Sequence, residues 1–141
     1  MTIRRANLAD LEVLLVLSAE FNEIDRHTHD PVRVRKAIEP LLTSDDLGVV
    51  YIFGDDLGYA LVTWGYSIES GGQDALLDEI YIRQQGEGLG GQLLDEVLAD
   101  LAARELPRVF LETEAHNEAV RRFYTRHGFQ TEDSIWMSKE L

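Results

Sequence analysis

Seven residues near the middle of the chain, Gln85-Gly86-Glu87-Gly88-Leu89-Gly90-Gly91, hold four glycines just ahead of a strongly helical stretch. A loop that leaves a strand and opens a helix exposes backbone N–H groups with no acceptor inside the helix. The helix dipole adds partial positive charge there, so the position favours a phosphate group. Glycine lets such a backbone approach the anion closely and take positive φ. Gly86-x-Gly88-x-x-Gly91 also fits the dinucleotide-binding spacing, with Glu112 near the expected ~20-residue interval. That pattern normally follows the first strand of a parallel sheet. No Gly-Lys-Ser/Thr follows the glycines, which excludes a P-loop, and a glycine-rich turn without a ligand stays an alternative. A second group, His27-x-His29-Asp30, resembles metal-ligand spacing. A polar connection of this kind between helices is more often a solvated loop, and no metal is expected.

The surrounding elements follow from periodicity. A short strand at 2–5 precedes Asn7, a good helix N-cap with Asp10 at N3. Leu8, Leu11, Leu14, Leu15 and Ala19 then recur at helical spacing. Pro31 suits the first position of a second helix, which carries Val34, Ala37, Ile38, Leu41 and Leu42. Strand signals occupy 49–53, 59–66 and 75–82, separated by Gly54–Gly58 and by Gly71-Gly72, and predict an antiparallel meander. Leu89, Leu93, Leu94, Val97, Leu98 and Leu101 stripe the helix behind the glycine loop, which Pro107 stops. A strand at 109–113, a helix at 117–127 ended by Gly128 and a last strand at 134–139 complete the pattern. The predicted order is β-α-α-β-β-β-α-β-α-β, an α/β (α+β) mixed sheet with one crossover, in a single domain spanning 1–141.

Composition narrows the function. The 141 residues hold 13 basic and 26 acidic side chains, a formal charge of −13. Binding to phosphate backbones draws on clustered Lys and Arg, so neither nucleic acid nor an anionic membrane surface is an expected partner. No cysteine is present, which excludes a disulfide framework, a thiolate nucleophile and thiolate metal sites. No apolar run approaches the ~20 residues of a membrane span, and no signal-peptide pattern opens the chain. The expected location is cytoplasmic.

Gln85-x-x-Gly88-x-Gly90 resembles the Gln/Arg-x-x-Gly-x-Gly/Ala signature of the GNAT superfamily of N-acetyltransferases. Leu77-Asp78-Glu79-Ile80-Tyr81-Ile82 is similar to that family's fourth strand. Phe110-Leu111-Glu112, Asn117-Glu118-Ala119 and Phe123-Tyr124-x-x-x-Gly128-Phe129 are similar to its fifth strand and the helix behind it. Ile3-Arg4-Arg5-Ala6 and the two helices that follow fit as well, so the resemblance runs through the chain in order. Only Arg83 and Gln84 separate Ile82 from Gln85, a tighter turn than many members carry.

The resemblance implies acetyl-CoA as co-substrate, held where strands 4 and 5 splay apart. The pyrophosphate would rest on amides of Gly86, Glu87, Gly88, Leu89, Gly90 and Gly91, with Gln85 a further cofactor-binding residue, and the pantetheine arm would run beside Ile80, Tyr81 and Ile82. Asn117 is a helix N-cap, a cofactor contact or both. A primary amine, on a small molecule or a peptide, would attack the thioester directly. Tyr124 sits where the family's tyrosine serves as general acid. Glu79 and Glu112 are equal candidates for the base, directly or through water, with Asp78 a further acid on the fourth strand. Strand alternation sends Asp78 and Glu79 to opposite faces. The His27–Asp30 connection, Trp64 and Tyr66 border the acceptor side in this reading, though Trp64 and Tyr66 also suit sheet packing. His116 and His127 suit surface or capping roles. Acids such as Glu23, Asp25, Glu69, Asp74 and Asp78 favour a cationic acceptor.

Two other readings stay open. One is a catalytically silent acyl-CoA-binding or sensor module on the same fold; the other is a dinucleotide-binding module. Homodimers are common in the superfamily, and the last strand is a candidate participant.

Overall fold

The computed structural model describes residues 2–141, so residue 1 of the expected domain lies outside the described residues. Strand β1 (Ile3–Arg5) leads into one turn of 3-10 helix at Leu8–Asp10 and then α1 (Leu11–Ile24). Asn7 and Asp10 form a reciprocal cap. The Asn7 side chain accepts from the Ala9 amide at 2.9 Å, and Asp10 Oδ2 accepts from the Asn7 amide at 2.8 Å. Helix α2 (Pro31–Thr43) starts on Pro31 and is capped by Asp30, whose Oδ1 accepts from the Arg33 amide. Both helix starts follow the capping logic of the sequence.

Strands β2 (Gly48–Phe53), β3 (Gly58–Ser67) and β4 (Gly72–Ile82) form the expected antiparallel meander, with β1 paired antiparallel to β2. Helix α3 (Leu89–Ala103) crosses over to β5 (Val109–Phe110), which pairs parallel to β4, and α4 (Glu118–Arg126) follows. The sheet order is β1-β2-β3-β4-β5. Apolar side chains alternate through β2 and fill two cores. Val50 and Ile52 join Leu14, Leu17, Ile38, Leu41 and Tyr59 under α1 and α2. Val49, Tyr51 and Phe53 join Leu77, Ile82, Leu93, Leu94, Val97 and Leu101 under α3. No helix among the described residues is long and apolar enough to cross a membrane.

Three expectations are corrected. The fifth strand was expected over 109–113 but pairs only through Val109 and Phe110, because the chain then diverges from β4. The strand expected over 134–139 does not form, and Gln130–Leu141 are all exposed and irregular. Its β-forming residues pair with no strand of this chain, although β5 ends the sheet with one side unpaired. Finally, β3 and β4 slip register: Leu61 faces Glu79 and Val62 faces Leu77, leaving Asp78 bulged out of the ladder. The predicted alternation of Asp78 and Glu79 fails at this extra residue. Leu77 and Ile80, three apart, both join the α3-side core, whereas Glu79 and Tyr81 bond side chains on the α1 side.

Candidate active site

The site begins as a gap. The β4–β5 ladder consists of Ala75 opposite Val109 and Leu76 opposite Phe110. Beyond it, β4 continues from Leu77 to Ile82 with β3 on one side and no strand on the other. An unpaired strand edge presents backbone donors and acceptors that need partners. A linear ligand can supply them.

At the far end of this open edge the chain enters the glycine loop. Gln85 folds back, its Nε2 donating to the Ile82 carbonyl at 2.9 Å, which fixes the tight turn. Gly86 and Gly88 sit at φ +89° and +72°, where a side chain would be strained. Gly88 is the N-cap of α3 and offers no side chain to the helix amides. The first amides of a helix have no intrahelical acceptor, so those of Leu89, Gly90 and Gly91 form an anion-favouring terminus. Gly91 is small for another reason. A Cβ there would come within 3.1 Å of the His127 ring, which pairs with Asp95 at 2.8 Å and ties α4 to α3. His127 is thus both the expected cap of α4 and an interhelical contact. A shallow groove between the two helices, lined by Gly88, Gly91, Gln92, Phe123 and Arg126, continues outward from the loop.

Arg126 lines that groove, whereas the cation nearest the loop in sequence is committed elsewhere. Arg83 Nε and Nη2 donate to Glu20 at 2.9 and 2.8 Å, and the Tyr81 hydroxyl donates to the same carboxylate at 3.1 Å. The Arg83 guanidinium holds the Glu20 carboxyl below its usual range. This network fastens α1 to the end of β4.

Tyr124 projects from α4 into the α3-side core, where Ile80, Ile82 and Leu89 also lie. Its ring packs edge-on against Phe123 and Phe129, with centroids 5.2 and 5.5 Å away. Burial pushes its hydroxyl pKa up. Among the described residues that hydroxyl has no hydrogen-bond partner. Asn117 caps α4, its Oδ1 accepting from the Val120 amide at 3.1 Å.

Glu79 lies on the other face of the sheet. Its Oε1 accepts from the hydroxyl of fully buried Tyr59 at 2.6 Å. Burial raises the Glu79 pKa most; the Tyr59 hydrogen bond opposes it, while Asp78 and Asp25 push it further up and His27 pulls it down. Asp78, which the bulge turns toward the same group, is also raised by burial. Glu112 is placed differently. It lies past the end of β5, exposed, with no bonded partner among the described residues.

The histidines of the α1–α2 connection have local partners. His27 Nδ1 lies 3.1 Å from Asp25, and His29 Nδ1 shares a hydrogen bond with buried Asn22 at 3.0 Å. No cluster of metal-ligating side chains occurs among the described residues. Trp64 donates to the Asp45 carbonyl at 2.7 Å and stacks on Arg104, a packing role at the opposite end of β4 from Glu79. Tyr66 is exposed still further along, and His116 is exposed. Tyr59 was not anticipated. It sits among apolar neighbours in β3, and only strand pairing shows that its hydroxyl reaches Glu79.

A mixed sheet opened between its parallel strands, with a glycine-rich helix start at the mouth, is the fold of the acetyltransferase-type neighbours. Residues 14–129 match the acetyltransferase (GNAT) family, and the chain belongs to that family. An integron cassette protein from the mobile metagenome of Cole Harbour Salt Marsh is 26% identical, with a TM-score of 0.87 over 99% of this chain and 90% of that one. A structure named "putative acetyltransferase", from Arthrobacter sp. FB24, is also 26% identical, with a TM-score of 0.86 over 100% and 96%. Ribosomal-protein-alanine N-acetyltransferase from Brucella melitensis biovar Abortus 2308, 17% identical, shares the fold at a TM-score of 0.76 over 99% and 100%. No curated protein matches the sequence significantly.

Proposed function

We propose that this GNAT-family chain is an acetyl-CoA-dependent N-acetyltransferase that acetylates a primary amine without an acyl-enzyme. One observation carries the reading: the unpaired edge Leu77–Ile82 runs directly into an uncapped helix start at Gly88. Acetyl-CoA has a peptide-like pantetheine arm joined to a diphosphate, and these two features complement it in that order. Bound there, it supplies an acyl thioester that an amine can attack. The chain has no cysteine to form a thioester of its own.

The two faces of the sheet divide the work. The amine approaches from the α1–α2 side, where Glu79 takes the proton that the attacking nitrogen must lose. Its raised pKa makes it a stronger base than an ordinary carboxylate. The bond from nitrogen to the acyl carbon forms and the carbon–sulfur bond breaks. Tyr124, kept protonated by burial, gives its proton to the departing sulfur from the α3–α4 side. Glu112, exposed beyond β5, is the weaker candidate for the base, and Asp78 acts through its charge on Glu79.

A panel of amines and N-terminal peptides, followed by release of the free CoA thiol, tests the reading. The expected result is acyl-dependent thiol release with at least one cationic amine, lost in Glu79→Gln. Tight CoA binding with no release across the panel would instead favour a silent acyl-CoA-binding module. Stabilisation by NAD rather than CoA would point to dinucleotide binding.

A further inference from the structure

The reaction proposed for this site leaves one proton without an acceptor. A cationic primary amine carries three protons on nitrogen, and the amide it becomes carries one. Glu79 accounts for one of the two that leave. The other must go first, because the nitrogen attacks only once it has a free electron pair.

A histidine stands on Glu79's side of the sheet. Glu20 and Phe21, near the end of α1, pack on Tyr81. The Tyr81 hydroxyl donates to Glu20 at 3.1 Å, and the Phe21 and Tyr81 ring centroids lie 5.8 Å apart. Tyr81 and Glu79 are two residues apart on β4 and bond on the same face, so the chain leaving α1 is held on that face. Its path is unusual. Arg26 sits at φ +57°, in the left-handed position that glycine normally takes at a helix end. The His27 amide donates back to the Asn22 carbonyl at 2.9 Å, and the side chain of buried Asn22 meets His29 at 3.0 Å. Strain of the kind seen at Arg26 gathers at working sites.

Beyond this reversal His27 meets Asp25, with Nδ1 3.1 Å from the carboxylate. An ionised carboxylate only accepts, so Nδ1 carries the hydrogen and Nε2 keeps its electron pair. Asp25 orients the ring as a third group orients a histidine base. The His27 side chain is 57% exposed, so a proton taken there passes to solvent. The charges of both residues act on Glu79, Asp25 raising its pKa and His27 lowering it. Tyr59 from β3 and Asp78 from β4 are the other titratable groups that act on this carboxylate among the described residues.

We infer that His27 is a second base: its Nε2 takes the first proton from the acceptor's ammonium group, and Glu79 takes the second as the nitrogen attacks. The inference rests on the amine-acceptor reading above. The electron pair freed by the first transfer forms the bond to the acyl carbon. The carbon–sulfur pair leaves with sulfur, which receives the Tyr124 proton. The imidazolium formed at His27 stays paired with Asp25 until it discharges to water. Glu79 then loses its proton, and Tyr124 regains one, through solvent.

Such a base matters only for amines that arrive charged. Two acceptors therefore test it, both followed by release of the CoA thiol. One is a cationic alkylamine active in the panel, and the other is its fluorinated analogue, weakly basic enough to be largely uncharged at neutral pH. His27→Asn should lower kcat/KM about 100-fold with the first and no more than a few-fold with the second. With the first amine, kcat/KM of the variant should climb with pH toward the amine's own pKa. Added imidazole should restore part of the loss at neutral pH. The thermal melt should not change, because the ring is exposed. Equal losses with the two amines, or no loss with either, would overturn the inference and leave the acetyltransferase reading standing. A panel in which no amine releases thiol would overturn both.

Discussion

Glu79 owes its chemistry chiefly to two influences of opposite effect. Burial raises its pKa, and the Tyr59 hydroxyl, donating at 2.6 Å, restrains the rise. As a base it works only when ionised, so activity is lost as pH falls through its pKa. Tyr59→Phe keeps the packing and removes the donated proton, which raises the Glu79 pKa further. The acidic limb of the kcat/KM profile should therefore move to higher pH, with the basic limb unchanged. Tyr124→Phe addresses the other proton. Loss of a general acid should lower kcat about 100-fold or more, while calorimetry shows CoA binding unchanged. Tyr124 and the acids of β4 stood out in the sequence as candidates through the family resemblance of the segments around them. The partnership of Tyr59 did not, because it depends on register across twenty residues of separation.

Local chemistry specified the elements well where it was strong. Asn7, Asp10, Asp30 and Pro31 predicted two helix starts, and the caps form as expected. Asp10 carries the most. Arg4 donates to both of its oxygens at 2.9 and 2.8 Å, and the Asp10 residue is only 8% exposed. The Arg4 hydrogen bonds lower its pKa below the ordinary carboxylate value. Its contribution to stability is therefore complete above the unfolded pKa and disappears as pH falls through the lowered folded one. Asp10→Asn should cost about 1–2 kcal/mol in denaturant melts at neutral pH, the size of a lost cap, with a smaller difference in acid. Where the outcome depended on distant partners, periodicity misled. The bulge at Asp78 shifts two acids relative to the pleat, and it reflects a mismatch between β3 and β4 that neither strand shows alone. The strand expected over 134–139 has the right residues but pairs with no strand of its own chain.

For the molecule as a whole, charge and fold pull in different directions. CoA is anionic and the chain carries −13, so long-range electrostatics oppose the encounter. Arg83, the cation closest in sequence to the glycine loop, is bound to Glu20. Short-range backbone dipoles at α3, with Arg126 in the adjoining groove, are left to do the holding. Screening weakens the repulsion more than these close contacts, so CoA should bind a few-fold more tightly as ionic strength rises from low to moderate. Titration calorimetry at several salt concentrations checks this. A site built on exposed lysines and arginines would show the reverse.

The two-residue seam between β4 and β5 has a mechanical consequence. Everything after Arg108, including Tyr124, joins the sheet through two rungs of backbone pairing, side-chain packing and the tie from His127 to Asp95. That region is a hinged panel, and a molecule lying along Leu77–Ile82 would act as its missing rivets. Binding and assembly of the enzyme then become one event. Amides over Val109–Arg126 should exchange with solvent sooner than those of β2 and β3 in the free protein, and slow markedly when CoA is bound. Equal protection with and without CoA would show a panel already locked shut.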